Sequence, residues 1–265
     1  MKLHTNVKLN LGLSILRRRP DGYHDLETLF VPYSGLGDEL EIVPAGEFSV
    51  DVRMLADMRP CPWDPMKDLT VKAYELLRAD FGIPPVAIRL LKGAPVGAGL
   101  GGGSADGAFA LRMLSDLFGL GLSDEALAGY AARLGSDCPF FIYNRPMLGE
   151  GRGEILTPFD VDLSGYEIRV VVPSGVSVST REAYSGVTPR ENSAGTTCRS
   201  LLSLREALAR PVEEWRDCLV NDFEPSVFAA HPQLAGIKEE LYAQGAVYAS
   251  MSGSGSAVFG IFLPK

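Results

Sequence analysis

Residues 93–114 read GAPVGAGLGGGSADGAFALRML, with seven glycines in the first fifteen positions. The segment VAIRLLK at 86–92 leads into them as a strand. From Ser104 the period changes: Ala108, Leu111, Leu114 and Phe118 fall on one helical face, and Gly119 is placed to stop that helix. The consecutive glycines at 101–103 allow backbone amides to crowd toward one point, and the helix N-terminus aims its free N–H groups and partial positive charge there. Such a loop is an anion site, to which the Ser104 hydroxyl would add a contact for phosphate or for Mg2+. The plain alternative is a flexible linker, but linkers are seldom pinned between a strand and an amphipathic helix.

Spacing separates the known glycine loops. A Walker A loop needs G-x-x-x-x-G-K-[ST], and no lysine follows any of these glycines. A Rossmann fingerprint can be forced onto Gly97, Gly99 and Gly102. However, Ala94-Pro95-Val96 separates it from the strand, and the place of the ribose-binding acid falls inside the helix.

Outward from the loop, strands and helices alternate. The stretch 7–16 (VKLNLGLSIL) alternates apolar and polar residues, and further strands are predicted at 27–33 and 39–43. Ser123 caps a second helix with Asp124 and Glu125 in its first turn, ending at Gly135. The tract NRPMLGEGRGEILTP at 144–158 is rich in Gly and Pro and divides the chain into domains at 1–152 and 153–265. Beyond it come a strand at 168–172, helices around 200–209 and 233–243, and strands at 246–251 and 257–263 flanking SGSGS. The pattern predicts a two-domain α/β (α+β) protein.

At 265 residues, with 46% hydrophobic and 22% charged residues, the chain can bury a sizeable core and has the length of two domains. The net charge of −8 argues against a nucleic-acid or anionic-membrane surface, so a phosphate compound would be held by local dipoles and a metal ion. No apolar run approaches a bilayer span, and MKLHTNVK lacks the apolar block of a secretory signal, which predicts a cytoplasmic protein. Cys61, Cys138, Cys198 and Cys218 are far apart and suggest neither disulfides nor a zinc site.

The segment PVGAGLGGGSAD at 95–106 resembles the phosphate loop of the GHMP kinase superfamily, P-x-x-x-G-L-G-[GS]-[GS]-S-[SA]. Further segments extend the likeness over nearly the whole chain: VKLNLGL, PDGYHDLETLF, LGSDCPFF, GVSVSTREAY, NDFEP and SGSGSAVFG. Together they are similar to the branch that phosphorylates a hydroxyl of a cytidylylated methylerythritol in non-mevalonate isoprenoid precursor synthesis. The resemblance implies an N-terminal ATP-binding domain and a ferredoxin-like C-terminal domain, with the active site in a cleft. It also implies ATP and Mg2+ as cofactors, and ATP and the small-molecule acceptor as partners, for a monomer or homodimer.

Carried over residue by residue, the likeness places the ATP phosphates on Pro95, Val96, Gly97, Ala98, Gly99, Leu100, Gly101, Gly102, Gly103, Ser104 and Ala105, with Ser104 at the metal. Lys8 and Asp137 become the catalytic pair: Asp137 orients the acceptor hydroxyl and takes its proton late, with Lys8 beside it as counter-charge. Asn10 falls beside the acceptor polyol, Tyr23 and His24 contact the cytosine, and Tyr184 stacks on the base's other face. Asp68 stands where an asparagine often meets the adenine.

Taken singly, each residue has a plainer reading: Lys8 as an edge or surface lysine, Asp137 as a helix cap, His24 as a turn histidine, Tyr184 as a core residue. Two other functions fit the loop, namely another GHMP kinase acting on homoserine or mevalonate, and a nucleotide-binding protein without transfer activity. The first leaves DGYH and GVSVST unexplained.

Overall fold

A computed structural model describes residues 1–192 and 202–264. Its strands are β1 (Lys2–His4), β2 (Val7–Arg18), β3 (His24–Tyr33), β4 (Glu39–Pro44), β5 (Ser49–Met54), β6 (Val86–Lys92), β7 (Met147–Glu150), β8 (Ile155–Pro158), β9 (Glu167–Val171), β10 (Tyr248–Met251) and β11 (Val258–Phe262). Its α-helices are α1 (Leu69–Phe81), α2 (Gly102–Leu117), α3 (Asp124–Leu134), α4 (Cys138–Tyr143), α5 (Thr180–Gly186), α6 (Leu204–Leu208), α7 (Trp215–Cys218), α8 (Glu224–Ala230) and α9 (Pro232–Ala243). Cys198 and the first residues of the helix expected around 200–209 lie outside the described residues. No helix among the described residues is long and apolar enough to cross a membrane.

The chain forms two compact units that interleave in sequence. One holds Met1–Lys8, Pro32–Val96 and Gly101–Arg145; the other holds Leu9–Val31, Gly97–Leu100 and Pro146–Lys265. In the first unit, a sheet of order β1-β4-β6-β5 pairs β6 antiparallel with β4 and parallel with β5. The alternate residues Val86, Ile88 and Leu90 of β6 are buried, the period of two that a half-covered strand requires. Leu40, Ile42, Val71, Leu77, Leu111 and Leu114 complete this core, each side chain contributing about 1.5–3 kcal/mol by leaving water.

Helix α3 starts and stops where its sequence says. The Ser123 hydroxyl accepts from the Ala126 amide at 3.2 Å, and Gly135 closes the other end. Arg112 of α2 donates to the Ile142 carbonyl at 2.7 Å, binding α2 to the last turn of α4 and so fixing the residues at the start of α4.

In the second unit, β9 and β10 flank β11 in an antiparallel sheet. Its core gathers Leu13, Ile15, Phe223, Leu234, Leu241, Met251 and Val258, with Tyr184 packed against it. The remaining sheet runs β2-β3-β7-β8.

Strand β2 departs from its sequence pattern in one respect. Alternation ordinarily leaves the polar face wet, yet Lys8, Asn10 and Ser14 are as buried as the apolar residues between them. A strand with a buried polar face is presenting side chains to something other than bulk water.

Candidate active site

Within the first unit, Lys8 is only 4% exposed, which removes its reading as a surface lysine. Its Nζ lies 3.6 Å from Oδ2 of Asp137. Burial pushes the Lys8 ammonium below the ordinary lysine value, and the Asp137 carboxylate acts in the opposite sense. Asp137 immediately precedes α4, where a carboxylate would ordinarily accept from first-turn amides. It makes no such bond, and its backbone is already helical at φ −83° and ψ −16°. The half-buried carboxylate is therefore turned to Lys8 and not consumed as a cap.

The glycine loop ends against this pair. A Cβ built on Gly101 would lie 3.2 Å from Lys8 Cγ and 3.2 Å from the Phe141 ring. Gly97, Gly99 and Gly101 have φ of 71°, 78° and 71°, the left-handed region that glycine enters without strain. Backbone that enters this region at alternate residues can turn neighbouring amides toward one point, as anion-binding nests do.

This corrects the expected arrangement of bare backbone at 101–103 with a helix from Ser104. Helix α2 begins at Gly102, so Gly102 and Gly103 form its first turn, and the left-handed residues lie further back. Gly101, as N-cap, has no side chain to occupy the first-turn amides. No atom would lie within 4 Å of a Cβ on Gly103, so the space in front of that turn is open. Pro95 is half-buried and Val96 and Gly97 are exposed, while the buried Ala98, Leu100 and Ala105 pin the chain around the turns.

Ser104 hydrogen-bonds to Cys138. Burial pushes the Cys138 thiol up to about 12, with the Ser104 hydroxyl acting the other way, so this cysteine is no nucleophile. The structure thus assembles Lys8, Asp137, Gly101 and Ser104 at the N-terminal ends of α2 and α4. Among the described residues no group of three or more His, Cys, Asp or Glu is placed to hold a metal. The available donors fit Mg2+ carried on phosphate oxygens, which needs one or two protein ligands and no dedicated cage.

In the second unit, the Asn10 side chain donates to the Thr28 hydroxyl at 3.0 Å, and its backbone N–H donates to Ser252 Oγ at 3.3 Å. Ser252 Oγ in turn lies 3.3 Å from the Gly99 carbonyl, and the Ala257 amide donates to the Ala98 carbonyl at 3.1 Å. The SGSGS turn is therefore the backing of residues 97–100. Asn221, 2% exposed, holds that turn by donating to the Met251 and Gly253 carbonyls at 2.8 and 2.9 Å. Asn221 and Thr28 carry no individual role in the sequence reading, whereas the family resemblance over SGSGS implies that Ser252 lies in a loop near the phosphates. The only available signal was a Ser/Gly turn between two apolar strands, together with the NDFEP and SGSGS segments.

The aromatic residues of the second unit have separate neighbours. His24, not Tyr23, faces Tyr184, with ring centroids 4.9 Å apart and planes 22° from parallel, and Phe223 meets Tyr184 edge-on at 4.8 Å. Tyr23 is 57% exposed and carries the Arg152 guanidinium 5.0 Å above its ring. His24 and Tyr23 thus take different neighbours, as side chains of consecutive residues entering a strand diverge. Burial, and then Arg18, push the His24 imidazole below 6.5, favouring the neutral ring that both donates and accepts. Asp68 is used as the cap of α1, accepting from the Thr70 amide at 3.0 Å and hydroxyl at 2.8 Å.

Two family models match the chain: GHMP kinases N terminal domain over residues 68–145, and GHMP kinases C terminal over residues 203–265. A Bacteroides fragilis 4-diphosphocytidyl-2-C-methyl-D-erythritol kinase is 49% identical over 260 residues, covering 98% of this chain and 91% of the relative. The protein of the same name from Bacteroides thetaiotaomicron is also 49% identical, with the same coverage. A crystal structure of 4-(cytidine 5'-diphospho)-2C-methyl-D-erythritol kinase superposes with a TM-score of 0.78 at 34% identity, covering 98% of this chain and 90% of that one. The chain belongs to the GHMP kinases and, within them, to the 4-diphosphocytidyl-2-C-methyl-D-erythritol kinase family.

Proposed function

We propose that this chain transfers the γ-phosphoryl group of ATP to a hydroxyl of the methylerythritol moiety of 4-diphosphocytidyl-2-C-methyl-D-erythritol, releasing ADP and a proton. The observation that carries the chemistry is the buried Lys8 beside the uncapped Asp137 carboxylate, at the end of a glycine loop whose first-turn amides face open space. The acceptor follows from the names borne by relatives at 49% identity. The same reading places the enzyme in the cytoplasm, where ATP is supplied.

Phosphoryl transfer has a loose transition state, so positioning and charge neutralisation outweigh a strong base. The left-handed glycines and the first turn of α2 hold the phosphates with N–H groups. Asp137 aligns the acceptor hydroxyl and accepts its proton as the P–O bond forms. Lys8 neutralises charge that develops between acceptor and phosphoryl oxygens. Mg2+, with Ser104 as a protein ligand, would offset the charge of the triphosphate. On the acceptor side, Asn10 holds the polyol, while Tyr23, His24 and Tyr184 contact the cytosine. Neutral His24 supplies the hydrogen-bonding edge that separates cytosine from uracil.

ADP release, measured with a panel of alcohols, tests the assignment. Turnover is expected with the cytidylylated methylerythritol and not with homoserine, mevalonate or galactose. Preferred turnover of homoserine or mevalonate would move the enzyme to another branch, and no ADP from any acceptor would leave a nucleotide-binding protein without transfer activity.

Gly103→Val tests the loop separately. The open space beside Gly103 accepts the new side chain without displacing protein atoms, so the fold should persist. The isopropyl group would stand where phosphate approaches the amides, weakening ATP binding by about tenfold or more for one lost charge-assisted contact. Unchanged ATP affinity by calorimetry in the folded variant would remove α2's first turn from the site.

A further inference from the structure

Behind the glycine loop lies a closed ionic network that the chemistry above does not use. Lys92, the last residue of β6, donates from Nζ to Asp38 Oδ2 and Asp106 Oδ2. Asp38 Oδ1 accepts from the amides of Gly93 at 2.6 Å and Ala94 at 2.8 Å, the residues that open the loop. Asp106, one turn into α2, accepts from the Thr5 hydroxyl at 3.3 Å, and that hydroxyl accepts from the Asp38 amide at 3.0 Å. Thr5, Asp38, Lys92 and Asp106 are each 5% exposed or less.

Burying three charged groups is a poor route to stability, since apolar replacements of such triads are often as stable or more so. What a fully bonded network supplies is register. This one binds the start of the glycine loop, through Asp38, to the beginning of α2, through Asp106, with one lysine between them. The network also lies directly under the helix terminus: a Cβ on Gly102 would be 3.8 Å from Lys92 Nζ and 3.6 Å from Asp38 Oδ2.

We infer that Asp38, Lys92 and Asp106 are positioning residues for the nucleotide phosphates, fixing both ends of the glycine loop so that its amides converge. The inference rests on the loop being the ATP site, as proposed above.

The test compares Asp106→Asn, Asp106→Ala, Lys92→Met and Thr5→Val with wild type. It uses calorimetric binding of the ATP analogue AMP-PNP with Mg2+, steady-state KM for each substrate, and melting temperature. Wild-type binding comes first: if AMP-PNP does not bind, or Gly103→Val leaves its affinity unchanged, the nucleotide reading fails and this inference with it. Given a responsive loop, Asp106→Ala and Lys92→Met are expected to weaken AMP-PNP by about tenfold, with the acceptor KM within about twofold of wild type. Asp106→Asn, isosteric and still able to accept one of the two bonds, is expected to lose less affinity than Asp106→Ala. Thr5→Val, the mildest change, should lose about threefold and serves if the other two do not fold. Folded variants with unchanged AMP-PNP affinity, or with equal losses toward both substrates, would overturn the positioning role. An Asp106→Asn enzyme that bound AMP-PNP more weakly than Asp106→Ala would also overturn it.

Discussion

Asp137→Asn is expected to lower kcat by about 10²–10⁴, the range of a positioned acid–base group, while both substrates bind with near wild-type affinity. The amide keeps the shape of the side chain but cannot accept the hydroxyl proton, and it removes the carboxylate that lies 3.6 Å from Lys8 Nζ. Because Asp137 makes no cap bond to α4, the substitution should cost the fold little, so the loss can be read as chemistry. Kinetics and a melting curve on the same preparation check both halves. Turnover near wild type would remove Asp137 from the reaction.

Lys8→Met should be comparably damaging, roughly 10²-fold or more in kcat, because it deletes the cation proposed to neutralise the transferring group. It also carries a pH signature. Burial lowers the Lys8 pKa and Asp137 raises it, with burial dominating. As pH rises through that depressed value, the ammonium is lost and activity should fall, at a pH below the ordinary lysine range near 10.4. Without the carboxylate that favours the ammonium, Asp137→Asn should shift this alkaline limb to still lower pH. In Lys8→Met the limb should vanish from the residual rate. A pH–rate profile of the three enzymes decides, and an unchanged limb in Lys8→Met would assign the titration elsewhere.

The parts of this site built from neighbouring residues were legible in the sequence. The change of period at Ser104 located α2, and Ser123 with Gly135 bounded α3, because periodicity and caps are local properties. The start of α2 was placed two residues late because its N-cap and first turn are glycines, which carry no side-chain cap signal. Helix α1 went unassigned, its cap Asp68 having been weighed as an adenine contact. Strand β5, beginning Ser-Val-Asp, went unread because its paired neighbour β6 lies far along the chain.

Long-range pairings were legible only through resemblance. Nothing local joins Lys8 to Asp137, and the burial of the polar face of β2 depends on tertiary packing. Adjacent letters do not show direction: His24 meets the Tyr184 ring while Tyr23 lies under the Arg152 guanidinium, since the onset of β3 separates their directions. The Asp38–Lys92–Asp106 network went unread for the same reason, being assembled from three separate segments.

In the proposed function this phosphotransferase recognises its acceptor through the cytidine it carries. Base stacking on aromatic side chains contributes roughly 1–3 kcal/mol per contact, and an unpaired hydrogen-bonding edge adds to the discrimination. The direct measurement is kcat/KM at saturating ATP and Mg2+ for the cytidylylated methylerythritol and for methylerythritol phosphate without its cytidine. A preference of about 10²-fold or more for the cytidylylated acceptor is predicted. Comparable values for the two would contradict the assignment and leave the aromatic residues around His24 and Tyr184 without a part in acceptor recognition.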